Sequence, residues 1–206
     1  MIIDISRPVF SNMTVWPGDE SVHLERVASI SDGEPANISR IHSGVHTGTH
    51  IDAPLHFIDG GISVDKLDIN LFTGWVQIVD VQNADSIGLK CLENINIKQG
   101  DAVFFKTKSS CRSLEEPFDF SFTGLQPNTA DYLLGIGVRV IGTDALSVEN
   151  DRENNYEVHK ILLEKEVLIV EGLCFKNVLP GRYRYTCLPV LIKDSDGAPA
   201  RAVLFL

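Results

Sequence analysis

The hydrophobic positions along the chain recur mainly at strand spacing, and helical spacing is confined to a few short segments. Residues 75–81 are dominated by β-branched and aromatic side chains, which is typical of a strand. Residues 167–170 are continuously apolar, which is typical of a buried strand. The predicted strands, in chain order, are residues 2–5, 22–30, 38–45, 75–81, 101–106, 138–142, 167–170, 182–192 and 200–206.

Three segments between these strands carry helix signals, and the last two strands flank a turn containing Gly197 that predicts a hairpin. The predicted helices are residues 86–94 with Ser86 as cap, residues 128–134 with Asn128 or Thr129 as cap and Gly135 or Gly137 at the end, and residues 156–165, where Val158, Ile161 and Leu162 have helical spacing. Together, these strands and helices predict a mixed sheet with several helices, which belongs to the α/β or α+β class. No repeat or long linker interrupts the pattern, so one domain is expected over residues 1–206.

Composition narrows the classes of partner. The chain has 206 residues and a formal charge of −10, which makes nucleic acid and anionic membranes poor partners and leaves a small-molecule substrate. The N-terminal stretch has no apolar signal-peptide core, and the longest apolar runs are far below a membrane span. The four cysteines form no short-spaced pair, so reduced thiols and a cytoplasmic location are expected.

Histidine is scarce but clustered, because four of the six histidines lie between positions 42 and 56. Within this stretch, His46, His50, Asp52 and His56 form the pattern H-x3-H-x-D-x3-H. Imidazole and carboxylate groups are the ligands that divalent transition metals prefer. Three histidines and an aspartate therefore indicate a metal site, while His42 is expected to face outward and is left unassigned.

The spacing of these residues also predicts a bend in the backbone. Side chains alternate along a strand, so His50 and Asp52 share one face and lie roughly 6.6 Å apart, close enough to bind one ion. His46 and His50 would be about 13 Å apart on a straight strand, which is too far. β-branched Thr47 and Thr49 and the following Pro54 disfavour a helix. The sequence therefore predicts a kink at Thr47–Gly48, which glycine permits.

Two distant residues could complete such a site. His159 lies in the predicted helix of residues 156–165, and Glu171 ends the buried strand of residues 167–170. A carboxylate in that position is uncommon unless it is paired, bound to a metal or at the surface. Together with the cluster, these two residues supply what a second metal ion would need, and Asp52 or Glu171 could bridge two ions.

With these residues, the chain resembles the cyclase-type metal-dependent hydrolases, whose best-known branch is bacterial kynurenine formamidase. The resemblance covers almost the whole chain, and its most specific segment is His-Thr-Gly-Thr-His-Ile-Asp-Ala-Pro-Leu-His-Phe at residues 46–57. The other matching segments are Val-Trp-Pro-Gly-Asp at residues 15–19, Ile-Gly-Thr-Asp at 141–144, Val-Glu-Gly-Leu at 170–173 and Asp-Gly-Ala-Pro-Ala-Arg-Ala-Val-Leu at 196–204.

The resemblance implies a swivelling β/β/α fold with a central barrel-like sheet and flanking helices, and a homo-oligomer such as a dimer or tetramer. By position, it implies that His46, His50 and Asp52 bind a first metal ion, and that Asp52, His159 and Glu171 bind a second. It further implies that His56 is the proton donor and acceptor and that Trp16 lines the substrate pocket. From the residues alone, Trp16 could also be a core aromatic before the turn at Pro17.

The expected chemistry is hydrolysis of an amide-type C–N bond by water activated on a divalent ion, with His56 moving the proton. Zinc is the preferred ion, and manganese or iron(II) are alternatives. The tail at residues 197–200 and the loop at residues 148–156 differ from the kynurenine formamidase branch. A related hydrolase of a cyclic amide or lactone, similar to isatin hydrolase, therefore stays an alternative.

Two other classes of protein use similar ligands. His50, Asp52 and His159 have the order of a non-haem iron oxygenase triad, but that interpretation leaves His46, His56 and Glu171 without a role. A non-catalytic metal-binding domain would need the ligands but not His56. No Gly-x-Ser-x-Gly segment occurs in the chain, so a serine hydrolase is not supported.

Overall fold

The computed structural model describes residues 1–150, 153 and 155–206; of the predicted loop at residues 148–156, positions 151, 152 and 154 lie outside that description. The strands are β1 (Ile2–Asp4), β2 (His23–Ala28), β3 (Ile38–His42), β4 (His50–Asp52), β5 (Thr73–Asp80), β6 (Ala102–Lys106), β7 (Val140–Thr143), β8 (Leu168–Glu171), β9 (Gly181–Pro189) and β10 (Gly197–Phe205). The α-helices are α1 (Pro127–Ile136) and α2 (Glu157–Leu163). Short 3-10 turns lie at Ile30–Asp32, Pro54–His56, Val64–Lys66, Ile69–Phe72, Leu89–Leu92 and Lys108–Cys111.

Seven strands close into a barrel-like mixed sheet, which confirms the predicted fold class. Their order is β10-β4-β8-β7-β6-β5-β9, and β9 pairs again with β10 to close the ring. The strands from β5 to β8 are parallel to one another, and parallel neighbours need crossover connections. Helix α1 connects β6 to β7 and α2 connects β7 to β8, while β1 adds to β10. Strands β2 and β3 form a separate two-stranded hairpin.

Two apolar layers follow from the alternation of side chains along the strands. Phe104, Val170 and Tyr185 point into the barrel and belong to the inner core. Phe105 and Ile169 point outward into a second core, which α1 and α2 cover. A side chain that points outward from β4 or β8 therefore lies beneath a helix rather than in solvent.

Several predicted boundaries shift by a few residues, and the first two predicted helices need correction. Residues 86–94 form only a single 3-10 turn, because Ile87 pairs with Leu125 in an isolated bridge and the chain before Leu89 is extended. The helix predicted from residue 128 begins at Pro127, with Gln126 as its cap residue, because proline suits the first helical position. It ends at Ile136, two residues later than predicted, and Gly137, one of the two glycines predicted to close it, is its C-cap. Within the described residues, no helix has the length and apolarity that crossing a bilayer requires.

Close backbone contact between Gly48 and Gly172 holds the loop before β4 against the end of β8. Both residues have left-handed backbone conformations, with φ of 65° and 64°. A Cβ atom on Gly172 would lie 2.0 Å from the Gly48 carbonyl oxygen. Gly48 supplies the predicted kink, so His46 is turned back toward the residues of β4 rather than continuing a straight strand.

We expect Gly172→Ala to destabilise the protein by at least about 2 kcal/mol, because alanine is disfavoured at positive φ and its methyl group would collide with backbone. Thermal unfolding monitored by circular dichroism measures the effect. Gly135→Ala is the matched control, since Gly135 lies in α1 with open space around it, and alanine there should be neutral or stabilising. Equal melting temperatures for the two variants would contradict the role given to the Gly48–Gly172 contact.

Candidate metal centre and active site

Strand β4 places His50 and Asp52 on the outer face of the barrel. Ile51 between them points into the inner core, so alternation turns its two neighbours outward. Both outward side chains are nonetheless buried, at 2% and 1% exposure. The strand therefore delivers an imidazole and a carboxylate into an interior that lies between sheet and helix.

Glu171 joins them because β8 pairs with β4 in a defined register. His50 lies directly opposite Glu171, and Val170 beside it points into the barrel. His50 Nε2 is 3.3 Å from Glu171 Oε2 and 3.4 Å from Asp52 Oδ1. The sheet pairing thus brings two buried carboxylates and one imidazole together.

Helix α2 contributes His159 from above the sheet. Its Nε2 atom lies 3.4 Å from Glu171 Oε1 and 3.8 Å from Asp52 Oδ2. Each carboxylate therefore directs one oxygen toward His50 and the other toward His159. Both carboxylates are therefore shared between the same two imidazoles.

The opposite nitrogen of each of these imidazoles is held by an acceptor. Nδ1 of His50 donates to the Gly48 carbonyl oxygen at 3.0 Å, and Nδ1 of His159 donates to Glu149 Oε1 at 2.5 Å. A carbonyl or carboxylate oxygen only accepts, so Nδ1 carries the proton in both rings. Nε2 of each ring is left facing Asp52 and Glu171, as in metal-binding histidines whose second nitrogen is fixed by an outer partner.

Glu149 is a residue of this site that the sequence did not reveal. Its carboxylate also accepts from the backbone N–H groups of Val158 and His159, both at 3.0 Å, and so caps the start of α2. It lies ten residues before His159 in a loop, where nothing in the local pattern distinguishes it from other acidic residues.

His46 and His56 form a second group at the edge of the cluster. His46 Nδ1 lies 2.8 Å from Asp52 Oδ1, and the two imidazole rings stack with centroids 3.8 Å apart. Asp196, which was not predicted, faces both: its Oδ2 is 2.8 Å from His46 Nε2 and 3.2 Å from His56 Nδ1. His56 is thus close to the carboxylates but remains at the wall of the site.

The donor atoms suit a divalent cation. Among the described residues, His50 Nε2 and Asp52 Oδ2 are buried without a hydrogen-bond partner, which is costly for polar atoms. Two sets of three residues, namely His46, Asp52 and His56, and His50, Asp52 and Glu171, each bring one ligand atom per residue within 4.8 Å of one another. Nitrogen and oxygen donors without thiolate fit zinc, manganese or iron(II).

The electrostatics of the cluster favour positive charge. Burial lowers the pKa of His50 and of His159, but the adjacent carboxylates outweigh it and raise both pKa values to about 10. Burial raises the pKa of Asp52, but contacts with His46 and His50 hold it well below its usual range. Burial lowers the pKa of His56, which leaves this ring uncharged and able to accept a proton at neutral pH.

A cleft of about 290 Å³ opens onto the cluster and is lined by His50, His56, Phe57 and Trp16, among others. The Trp16 ring packs edge-on against Phe118, with centroids 5.1 Å apart. Trp16 therefore lines the cleft and belongs to an aromatic cluster at the same time.

His42 lies apart from the site. Its exposed ring pairs with the Glu20 carboxylate at 2.7 Å.

Comparison with known proteins agrees with this geometry. Residues 3–150 match the model of the Cyclase family, described as "Putative cyclase". The chain is 36% identical over 202 residues to a kynurenine formamidase of Bacillus cereus (strain ATCC 10987 / NRS 248), covering 98% of this chain and 96% of that protein. The chain belongs to the cyclase family.

Solved structures of cyclase-family proteins share the fold. A protein described as a potential metal-dependent hydrolase with cyclase activity has a TM-score of 0.85 and 34% identity, covering 99% of this chain and 96% of that chain. An isatin hydrolase bound to the product analogue thioisatinate has a TM-score of 0.87 at 20% identity, covering 100% and 92%, and shows likeness of fold alone. The cyclase-family chain is accordingly a hydrolase.

We expect His50→Ala and Asp52→Ala to abolish metal binding by this cyclase-family chain, because each removes a ligand and leaves buried groups unpaired. His56→Ala should retain the metal, since His56 lies at the wall of the site. Metal content after dialysis, measured by atomic emission, distinguishes these outcomes, with His42→Ala as the control. Full occupancy in the His50 or Asp52 variant would contradict the ligand set, and loss of metal in the His56 variant would make His56 a ligand.

Proposed function

We propose that the protein is a metal-dependent amidase that hydrolyses the formyl C–N bond of an aryl formamide such as N-formylkynurenine. One observation carries the proposal: two imidazoles with Nδ1 already occupied direct Nε2 at two buried carboxylates, beside a further histidine, His56, in a cleft with aromatic walls. The similarity to the Bacillus cereus kynurenine formamidase supports the choice of substrate.

We infer two overlapping ligand sets, which group the residues differently from the two sets of close ligand atoms described above. His46, His50 and Asp52 would hold one divalent ion, and Asp52, His159 and Glu171 would hold a second, with zinc as the preferred ion and manganese or iron(II) as alternatives. A divalent ion supplies Lewis acidity, which activates water at neutral pH and polarises a carbonyl group. The surrounding protein contributes a dry setting, because His50, Asp52, His159 and Glu171 are all at most 4% exposed.

His56 performs the proton transfer in this proposal. Its ring is uncharged at neutral pH because burial lowers its pKa, so it accepts a proton from the attacking water. The same ring then returns the proton to the departing aryl nitrogen. Its Nδ1 faces Asp196, which leaves Nε2 on the opposite edge of the ring for this exchange.

Trp16 and Phe57 provide apolar walls for an aromatic substrate, since both line the cleft. Aromatic rings stack favourably against such walls. An aryl amine is also a better leaving group than an alkyl amine, which suits a site where the acid is a single histidine.

The proposed activity is tested by hydrolysis of N-formylkynurenine by metal-loaded protein, with formate release as the readout and isatin as the comparison substrate. We expect N-formylkynurenine to have the higher kcat/KM. His56→Ala should lower kcat by about 100-fold or more, with His42→Ala as the control. Opening of isatin without formamide hydrolysis would assign the protein to cyclic amides or lactones instead, and inactivity toward both would contradict the proposal.

We also propose that the protein acts as a homo-oligomer, at least a dimer, and that β2 and β3 form part of its interface. Leu24 pairs with Ile41 across this hairpin, and both are about half exposed, at 45% and 56%. A two-stranded hairpin is marginally stable by itself, and clustered exposed apolar side chains favour association.

The four cysteines form no disulfide bond, which supports the proposal that the protein works in a reducing compartment, the cytoplasm.

Replacing both Leu24 and Ile41 by lysine should convert the oligomer into a monomer, because two charges would then face the partner. Sedimentation velocity measures the change. Leu191→Lys is the control, since Leu191 is 79% exposed but belongs to the turn between β9 and β10 rather than to the hairpin. A wild-type protein that sediments as a 22.7 kDa monomer would contradict the proposal.

A further inference from the structure

Asp196 faces two histidines with a single oxygen atom. The residue lies in the turn that joins β9 to β10. Its Oδ2 accepts a hydrogen bond from His46 Nε2 at 2.8 Å and lies 3.2 Å from His56 Nδ1. The two rings are stacked at an interplanar angle of 23°, so one carboxylate oxygen lies beside both.

The backbone around Asp196 is tied to the strand that carries the candidate ligands. Its carbonyl oxygen accepts from the Ala53 N–H at 2.9 Å. The next residue, Gly197, lies opposite Asp52 in the pairing of β10 with β4. The position of the Asp196 carboxylate is therefore set by the same strand that positions Asp52.

Gly197 makes the contact with His46 sterically possible. A Cβ atom at this position would lie 2.6 Å from His46 Cε1 and 2.7 Å from the Ile51 carbonyl oxygen. The His46 ring thus packs directly on the backbone beside Asp196. Any larger residue at position 197 would displace the ring from the carboxylate.

We propose that Asp196 is a positioning residue that holds His46 through a hydrogen bond and His56 through the contact of its Nδ1 atom with the carboxylate, and so sets which nitrogen each ring presents. Nε2–H of His46 donates to Asp196, and Nδ1 donates to Asp52, so Nδ1 is the nitrogen that the ring would offer to an ion bound beside Asp52. With Nδ1–H of His56 directed at Asp196, Nε2 is presented for proton exchange. Glu149 holds His159 in a corresponding way, as outer carboxylates commonly do for metal-binding histidines.

This inference rests on the proposed function for the role of His56, but its effect on the rings is measurable without substrate. Asp196 is 42% exposed, so truncation leaves no buried cavity. Asp196→Ala removes the acceptor, whereas Asp196→Asn keeps an oxygen acceptor without the charge. Asp194→Asn is the matched control from the same turn, because the Asp194 carboxylate pairs with Lys66 at 3.2 Å.

The first measurement is the tautomeric state of the histidines, from long-range ¹H–¹⁵N spectra of the full-length, zinc-loaded protein. We expect single tautomers for His46 and His56 in the wild type and in the Asp194 control. Asp196→Ala should give mixed tautomers for both rings, and Asp196→Asn should preserve that of His46. Unchanged tautomers in Asp196→Ala would overturn the proposal.

The second measurement separates positioning from a general structural effect. Asp196→Ala should lower kcat for N-formylkynurenine by roughly 10- to 100-fold with little change in KM, and Asp196→Asn should recover part of that loss. In a His56→Ala background, Asp196→Ala should lower kcat no further at saturating zinc. An equal further loss in that background would show that Asp196 does not act through His56. Absence of turnover in the wild type, together with altered tautomers in the variant, would overturn the proposed function but not the positioning role.

Discussion

The attraction of two buried carboxylates for positive charge is the interaction on which this site depends. Asp52 and Glu171 are almost wholly excluded from water, and isolated carboxylates in such an environment are very costly. Four imidazoles surround them, and the raised pKa values of His50 and His159 express the strength of the resulting field. A divalent cation would neutralise the negative charge of the same two carboxylates with a single ion.

The register of one short strand connects this charge cluster to the fold. In β4, Ile51 fills the barrel while its two neighbours point toward α2. Pairing with β8 sets Glu171 opposite His50, and pairing with β10 sets Gly197 opposite Asp52. A shift of one residue would exchange the apolar and polar faces of the strand, so the barrel core and the site are specified by the same pairing.

Much of the fold class and of the central cluster could be predicted from the sequence, because those signals are local. The alternation of His50 and Asp52 around Ile51 and the bend at Gly48 are properties of neighbouring residues, and the structure has both. Glu149 and Asp196 could not be found in this way. Asp196 lies 150 residues from His46, and their contact exists only once β10 pairs with β4. The helix expected at residues 86–94 was wrong for a similar reason, since a long-range bridge keeps the chain extended at Ile87 and only a 3-10 turn follows at Leu89–Leu92.

The segments of chain just before and just after the β2–β3 hairpin both line the cleft. Trp16 and Asp19 line the cleft just before the hairpin begins, and His46 and Thr47 line it shortly after the hairpin ends. Whatever restrains the hairpin therefore also restrains both of the segments that lead into it. In the proposed homo-oligomer, a partner bound to the hairpin would therefore act on the opening of the cleft from outside the barrel, at a distance from His50 and Asp52.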